Sequence, residues 1–310
     1  MPKKKIPNSI KFLLLISIAA IVTFFILREN GTENNVSADE ITTEASLMKD
    51  VDQSVNIFKY NNILFSLPSP YQISLLLEQS GIPYNKDLLH TTGKANDYVE
   101  NFSKAVNFGI YGSDLGYINI YRQTQDAASY FAVLKIISQE IGLYNAMDKP
   151  TIERIENNIE NRDSLLVIVS NTYRKIDNYL KANDRENTGA LILAGGWIES
   201  VYILTRQVKT VPNKKLITRI SEQKRPLENL IKLLVPYSNE SKDFYFLVDR
   251  LIDLAYTFDE IEEKYTYVPP ITDSQNKLTI VKSKSEIVMN KAQLASITDK
   301  VSVIRNYITK

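Results

Sequence analysis

The 310-residue chain has no cysteine and a single histidine, His90. The first absence excludes disulfides, thiolate metal sites, a cysteine nucleophile and a lipidated N-terminal cysteine. The second excludes metal sites built from several imidazoles and mechanisms that need two. An excess of one charge is missing as well. With 37 basic and 36 acidic residues the chain carries +1 overall, so its total charge gives no reason to expect nucleic acid as a partner. Glycine is sparse, at 10 residues, which makes Gly109, Gly112, Gly116 and the Gly195-Gly196 pair conspicuous. What is present is apolar bulk, 44% of the chain and ample for a core, and 18 tyrosines against 11 phenylalanines.

The longest uniformly apolar run near the start is FLLLISIAAIVTFFIL, residues 12–27. It falls between the roughly 7–15 residues of a signal-peptide core and the roughly 17–25 of a spanning helix. The residues at its C-terminal edge decide between the two. The run ends Phe24-Phe25-Ile26-Leu27-Arg28, and the first small pair, Val36 and Ala38, comes too late for cleavage. An uncleaved signal anchor in the inner membrane is expected. Lys3, Lys4, Lys5 and Lys11 precede the run and only Arg28 lies close after it, which keeps the N-terminus cytoplasmic and makes the C-terminal domain periplasmic. Residues 1–28 hold five basic and no acidic side chains, leaving the exported part at −4.

Residues 29–55 are polar and read as a stalk. Helical apolar spacing dominates from residue 56 to 266. Helices are expected after Pro68-Ser69-Pro70, over about 96–141 with a bend near its glycines, over about 150–160, and from a cap at Asp163 or Ser164 to Leu180. Further helices are expected from after Asp184 to about Gln207, over 214–221, 226–235 and about 242–263. Residues 267–310 change character. Tyr267-Val268-Pro269-Pro270 breaks the pattern, KLTIVKSKSEIVM alternates as a β-hairpin around Ser283-Lys284, and Leu294, Ile297, Val301, Ile304 and Ile308 mark an amphipathic helix. The fold class is all-α: an antiparallel helical bundle with a small C-terminal β-hairpin plus helix.

Three features carry the candidate site. Ala105, Gly109, Gly112 and Gly116 fall at helical steps of four, three and four, so they share one face. Each interior glycine costs roughly 1 kcal/mol against alanine, so the set implies either close packing of a second helix or a backbone-lined site near Asp114, Tyr117, Tyr121 and Arg122. The stretch GALILAGGWIESVYIL, residues 189–204, reads as a buried bundle helix whose Gly195 can meet that glycine face. Within it Glu199 must be paired, hydrogen-bonded or neutral, with Arg122, Arg174, Arg206 or any of the tyrosine hydroxyls as possible partners. The tyrosines Tyr98, Tyr111, Tyr117, Tyr121 and Tyr130 suit a polar-lined cavity, an interface or half-buried helix edges. His90 has no serine elbow around it, and the carboxylates at Glu153, Glu156, Glu160, Asp163 and at Asp259, Glu260, Glu262, Glu263 lack metal-loop spacing. No metal or cofactor is expected, and no catalytic residue is assigned.

The segments FSLPSPYQISLLLEQSGIPYN, NFGIYGSDLGY, IENNIENRDSLL and LILAGGWIES resemble a group of exported, mainly helical proteins of Bacteroidetes-type bacteria. The resemblance spans residues 65–207 and implies a source and a compartment, but no activity. Three functional readings suit these features. One is a non-catalytic binding or scaffold protein of the cell envelope, meeting an envelope protein or a small molecule at Gly109, Gly112, Asp114, Gly116, Tyr117, Tyr121, Arg122, Gly195 and Glu199. The second is an envelope enzyme using Glu199 and Asp114 as an acid/base pair. The third is a structural subunit that docks through the C-terminal hairpin and helix.

Overall fold

Apolar residues at helical spacing, closed off by short polar caps, give ten α-helices among the described residues of the computed structural model. The structure describes residues 56–60, 63–67, 70–159, 161–273 and 278–310. The expected anchor (1–28) and stalk (29–55) lie outside the described residues. The helices are α1 (Pro70–Gln79), α2 (Asn101–Ile120), α3 (Thr124–Glu140), α4 (Lys149–Asn157), α5 (Arg162–Ala182), α6 (Glu186–Thr210), α7 (Lys214–Ser221), α8 (Lys224–Leu234), α9 (Lys242–Asp259) and α10 (Lys291–Ile308). Asp148, Asn161, Asn213 and Ser241 cap α4, α5, α7 and α9 by accepting first-turn N–H groups. Asn290 and Gln293 form a reciprocal capping box on α10. The cap of α5 is Asn161, two residues ahead of the expected Asp163.

The all-α bundle is present as expected, with α6 as its axis. Helix α2 packs along α6, and α1, α5, α8 and α10 each touch α6 as well. By length and composition α6 could cross a membrane, but 78% of its apolar window is buried inside the protein. The expected 96–141 helix is two helices, and the break is not at a glycine. All three glycines lie inside α2, while the chain turns at Arg122, whose φ of 57° is left-handed. Helix α10 packs into the bundle: Ile297, Val301, Ile304 and Ile308 are buried in the common core, against α6 and α9.

A C-terminal hairpin is present, with a different pairing from the one expected. Strands β3 (Glu262–Thr266) and β6 (Lys284–Val288) pair antiparallel, and β4 (Ile271–Asp273) pairs with β5 (Leu278–Ile280). Residues 278–288 are therefore one arm of a longer ribbon and do not fold back at Ser283-Lys284. Pro269 and Pro270 cannot donate ladder bonds, so the ribbon is interrupted there. Ser283 bridges the gap: its Oγ accepts from Val268 N and donates to Val268 O, both at 3.1 Å. The expected helix to residue 263 accordingly stops at Asp259. A second hairpin, β1 (Asn56–Tyr60) with β2 (Ile63–Leu67), has no counterpart among the sequence expectations.

The glycines of α2 and α6 explain how closely these helices approach. A Cβ at Gly109 would collide with the Ile192 carbonyl and lie 2.8 Å from Gly196 N, and one at Gly195 would collide with the Val106 carbonyl. At Gly116 a Cβ would meet nothing within 4 Å. Gly109→Ala or Gly195→Ala should therefore cost about 3 kcal/mol or more through forced separation of packed backbones. Gly116→Ala should raise stability by about 1 kcal/mol through helix propensity alone. Urea unfolding of the three variants separates a packing requirement from a composition effect.

Candidate functional site

The α2–α6 seam sets the position of the candidate residues. Just beyond the crossing, Ser113 and Ser200 hydrogen-bond across it at 2.9 Å, and Asp114 and Glu199 sit in the same layer, each fully buried. Neither expected glycine-face helix supplies a cation there. Arg305 of α10 does: its Nε and Nη2 donate to the two Glu199 oxygens at 2.7 and 2.8 Å, and its guanidinium lies 4.3 Å from the centre of the Tyr202 ring. The remaining reach of Nη2 goes to the Leu88 carbonyl at 3.3 Å. The partners expected from sequence are elsewhere. Arg122 and Arg206 are exposed, and Arg174 bonds Asn171 on its own helix.

Asp114 completes the layer. Its Oδ2 accepts the His90 backbone N–H at 3.0 Å, whereas Oδ1 finds no donor among the described residues. Burial pushes the Asp114 carboxyl well above the usual carboxylate range, and the Glu199 charge pushes it further. Arg305 and the His90 N–H pull the other way. His90 shares a hydrogen bond between its Nε2 and the Tyr98 hydroxyl. Burial, then the charges of Arg305 and Lys94, lowers its imidazole to about 3, so the ring is neutral.

Four of the tyrosines hold a backbone. Residues 82–95, which run between α1 and α2 with only two 3-10 turns, have few ladder partners of their own. Tyr130 donates to the His90 carbonyl and Tyr111 to the Thr91 carbonyl, both at 2.7 Å. Tyr121 donates to the Ile82 carbonyl at 2.7 Å. The Asn85 N–H and the Gln207 amide both donate to the Tyr117 oxygen, at 3.0 and 3.1 Å. Tyr84 stacks on Tyr117 with 5.4 Å between ring centres.

Of the nine residues expected at a site, the structure brings Asp114 and Glu199 together, sets Gly109 and Gly195 in backbone contact, and places Tyr117 and Tyr121 under residues 82–85. Gly112 faces the Tyr173 hydroxyl of α5, Gly116 faces open space, and Arg122 lies on the turn after α2. Absent from the sequence expectations are Arg305, the role of His90 as a backbone anchor, and Gln207. Among the acidic clusters, Glu153 pairs with Lys149, Glu156 with Lys135 and Asp259 with Lys224, all on partly exposed surfaces. In comparisons with protein-family models, curated proteins and solved structures, the chain matches none.

Two outcomes are expected. Arg305→Met should cost about 3–5 kcal/mol, because it strands a buried carboxylate, while Glu199→Met with Arg305→Met should recover much of that loss. A double-mutant cycle by chemical denaturation checks this. For His90 the folded pKa is depressed, so folding excludes a proton that the unfolded chain binds near 6.5. Its stabilisation is complete above about pH 6.5 and falls as pH drops toward about 3, by up to about 1.4 kcal/mol per pH unit. His90→Gln should flatten that limb of the stability–pH curve.

Proposed function

We propose that this chain is a non-catalytic, membrane-anchored scaffold of the cell envelope that meets a protein partner through the face of its C-terminal ribbon. One observation carries the reading. Residues directly opposite in β4 and β5 share a face, which puts Ile271, Leu278 and Ile280 on one side and Thr272 and Thr279 on the other. Both sides are exposed, with the three apolar residues at 50, 51 and 44%. Tyr265, Tyr267 and Val281 add further exposed apolar surface along the ribbon. A two-stranded ribbon in water is marginal by itself, and clustered apolar exposure marks interaction surfaces.

The anchor rests on residues 12–27 and their basic flank, and the periplasmic placement of the rest comes from that orientation. The resemblance to exported helical proteins supports the same compartment. The small-molecule reading loses support because its residues are not gathered at one place: Gly109, Asp114, Gly195 and Glu199 are buried in the α2–α6 seam, Gly112 faces Tyr173, and Arg122 is exposed on the turn after α2. The enzyme reading loses support because Asp114 and Glu199 are both closed off from solvent. The docking element of the structural-subunit reading is narrowed to the ribbon, since the apolar stripe of α10 is buried in the core.

A photo-crosslinking side chain at Ile280 should give one discrete adduct in intact cells, and the same group at Thr279 should give little. Changing Ile271, Leu278 and Ile280 together to Ser should abolish the adduct formed from Tyr267 and shift stability by less than about 1 kcal/mol. Equal labelling from both faces, or none from either, would sink the reading.

A further inference from the structure

We propose that the turn between α6 and α7 is a membrane-contact surface, and that its partner is the anionic phospholipid face of the bilayer in which residues 12–27 anchor the chain. The proposal rests on the anchored part of the reading above and is independent of the ribbon. The near-zero total charge hides the feature that carries it. Residues 206–215 hold Arg206, Lys209, Lys214 and Lys215 and no acidic side chain, in a chain with 37 basic and 36 acidic residues. All four are exposed. Between them Val211 and Pro212 lie exposed on the turn itself, Val211 at 42%.

Packing gathers this charge at one end of the bundle. Helices α2 and α6 run in the same direction, since Gly109 meets Ile192, Ser113 meets Ser200 and Tyr117 meets Gln207. The exposed Arg122, on the turn that ends α2, therefore opens at the same end as the turn that ends α6. The neighbouring segment brings Glu78 and Asp87, both exposed, and Lys86 already pairs with Asp126. Arg122, Arg206, Lys209, Lys214 and Lys215 outweigh those two acids, so this end is positive.

A bilayer matches this surface better than an acidic protein does, on two grounds. An apolar residue held in water among lysines fits both layers of a membrane interface: Val211 meets the acyl boundary while the ammonium groups stay at the phosphates. A carboxylate-rich protein would use the lysines and leave Val211 unmatched. The second ground is reach. Residues 29–55 join the anchor to the domain, and 27 residues span at most about 90 Å. An anchored domain stays within that distance of the lipid, so a patch too weak to bind from solution acts at high effective concentration. Each basic side chain at an anionic leaflet then multiplies the contact about fivefold.

The test uses the full-length chain. Because the sequence has no cysteine, Val211→Cys accepts a single environment-sensitive dye. Val99→Cys is the reference: Val99 is 82% exposed ahead of α2, a helix length of about 30 Å from that end. Each is reconstituted in vesicles of phosphatidylcholine and of an equal mixture with phosphatidylglycerol. The dye at Val211 should turn lipid-like in the mixture only, and the dye at Val99 in neither. Lys209→Gln, Lys214→Gln and Lys215→Gln together should lower its partition into lipid about a hundredfold, and raised salt should weaken it without any substitution. No shift at Val211 in the mixture, an equal shift in both lipids, or a shift indifferent to salt and to the three substitutions overturns the contact. A dye silent with both vesicles but shifted by soluble polyaspartate assigns the surface to an acidic protein and overturns it equally. The anchor is read separately, by flotation with phosphatidylcholine vesicles: lost flotation with the Val211 shift retained overturns the anchor and keeps the lipid contact.

Discussion

Contact between the backbones of α2 and α6, where Gly109 and Gly195 each face a carbonyl of the other helix, fixes the rest of the interior. Helices with ordinary side chains at the crossing keep about 8–10 Å between axes. Removing both Cβ atoms brings Asp114 and Glu199, each about one turn further on, into one layer without water. That proximity imposes a cost no local residue can offset, because both carboxyls lose solvation together. The compensation comes from the far end of the chain. Arg305 is 106 residues from Glu199, so the C-terminal helix must dock on α6 for the core to be electrically acceptable. A packing decision made by glycine thus becomes a topological one made by charge.

The tyrosines answer the second demand of the same layer. A segment crossing a buried surface without a ladder exposes peptide groups that water cannot serve. Tyrosine hydroxyls from α2 and α3 reach the carbonyls of Ile82, His90 and Thr91, and Tyr117 receives the Asn85 N–H. Each ring fills apolar volume while its hydroxyl caps a backbone group, which a phenylalanine could not do. Tyr111, Tyr117, Tyr121 and Tyr130 therefore serve a buried connection.

Features that repeat along one helix are legible in the sequence. Glycine spacing in α2, the small pair in α6 and their mutual packing can be read because each is local and periodic. The need for a partner at Glu199 is legible for the same reason, but the partner's identity is not. Arg305 sits next to Ile304 on an apolar stripe and looks like a solvated edge, and nothing local says that its helix turns that edge inward. The break at Arg122 is hidden because a left-handed arginine carries no sequence mark, whereas the glycines nearby suggest a bend they do not make. In the ribbon, strand character is legible from alternation, but the pairing is not. Lys282 to Lys284 resembles a turn as much as the interruption opposite Pro269-Pro270 that it is.

The division between interior and surface bears on where function is to be sought. Buried ionisable groups in a helical bundle usually invite an active-site reading, since burial and opposed charges shift pKa values at catalytic centres too. Here the same groups take part in closing the fold: Glu199 through Arg305, Asp114 through the His90 N–H, and the tyrosines through backbone groups of residues 82–91. The ribbon shows the opposite pattern. Its backbone is paired across one edge only, and Ile271, Leu278 and Ile280 stay in water although the bundle has apolar surface against which a ribbon could fold. A chain that finds a distant arginine for one buried carboxylate and tyrosine donors for three carbonyls leaves that face uncovered. The asymmetry is hard to attribute to poor packing, and it favours recognition on the ribbon and stability in the seam.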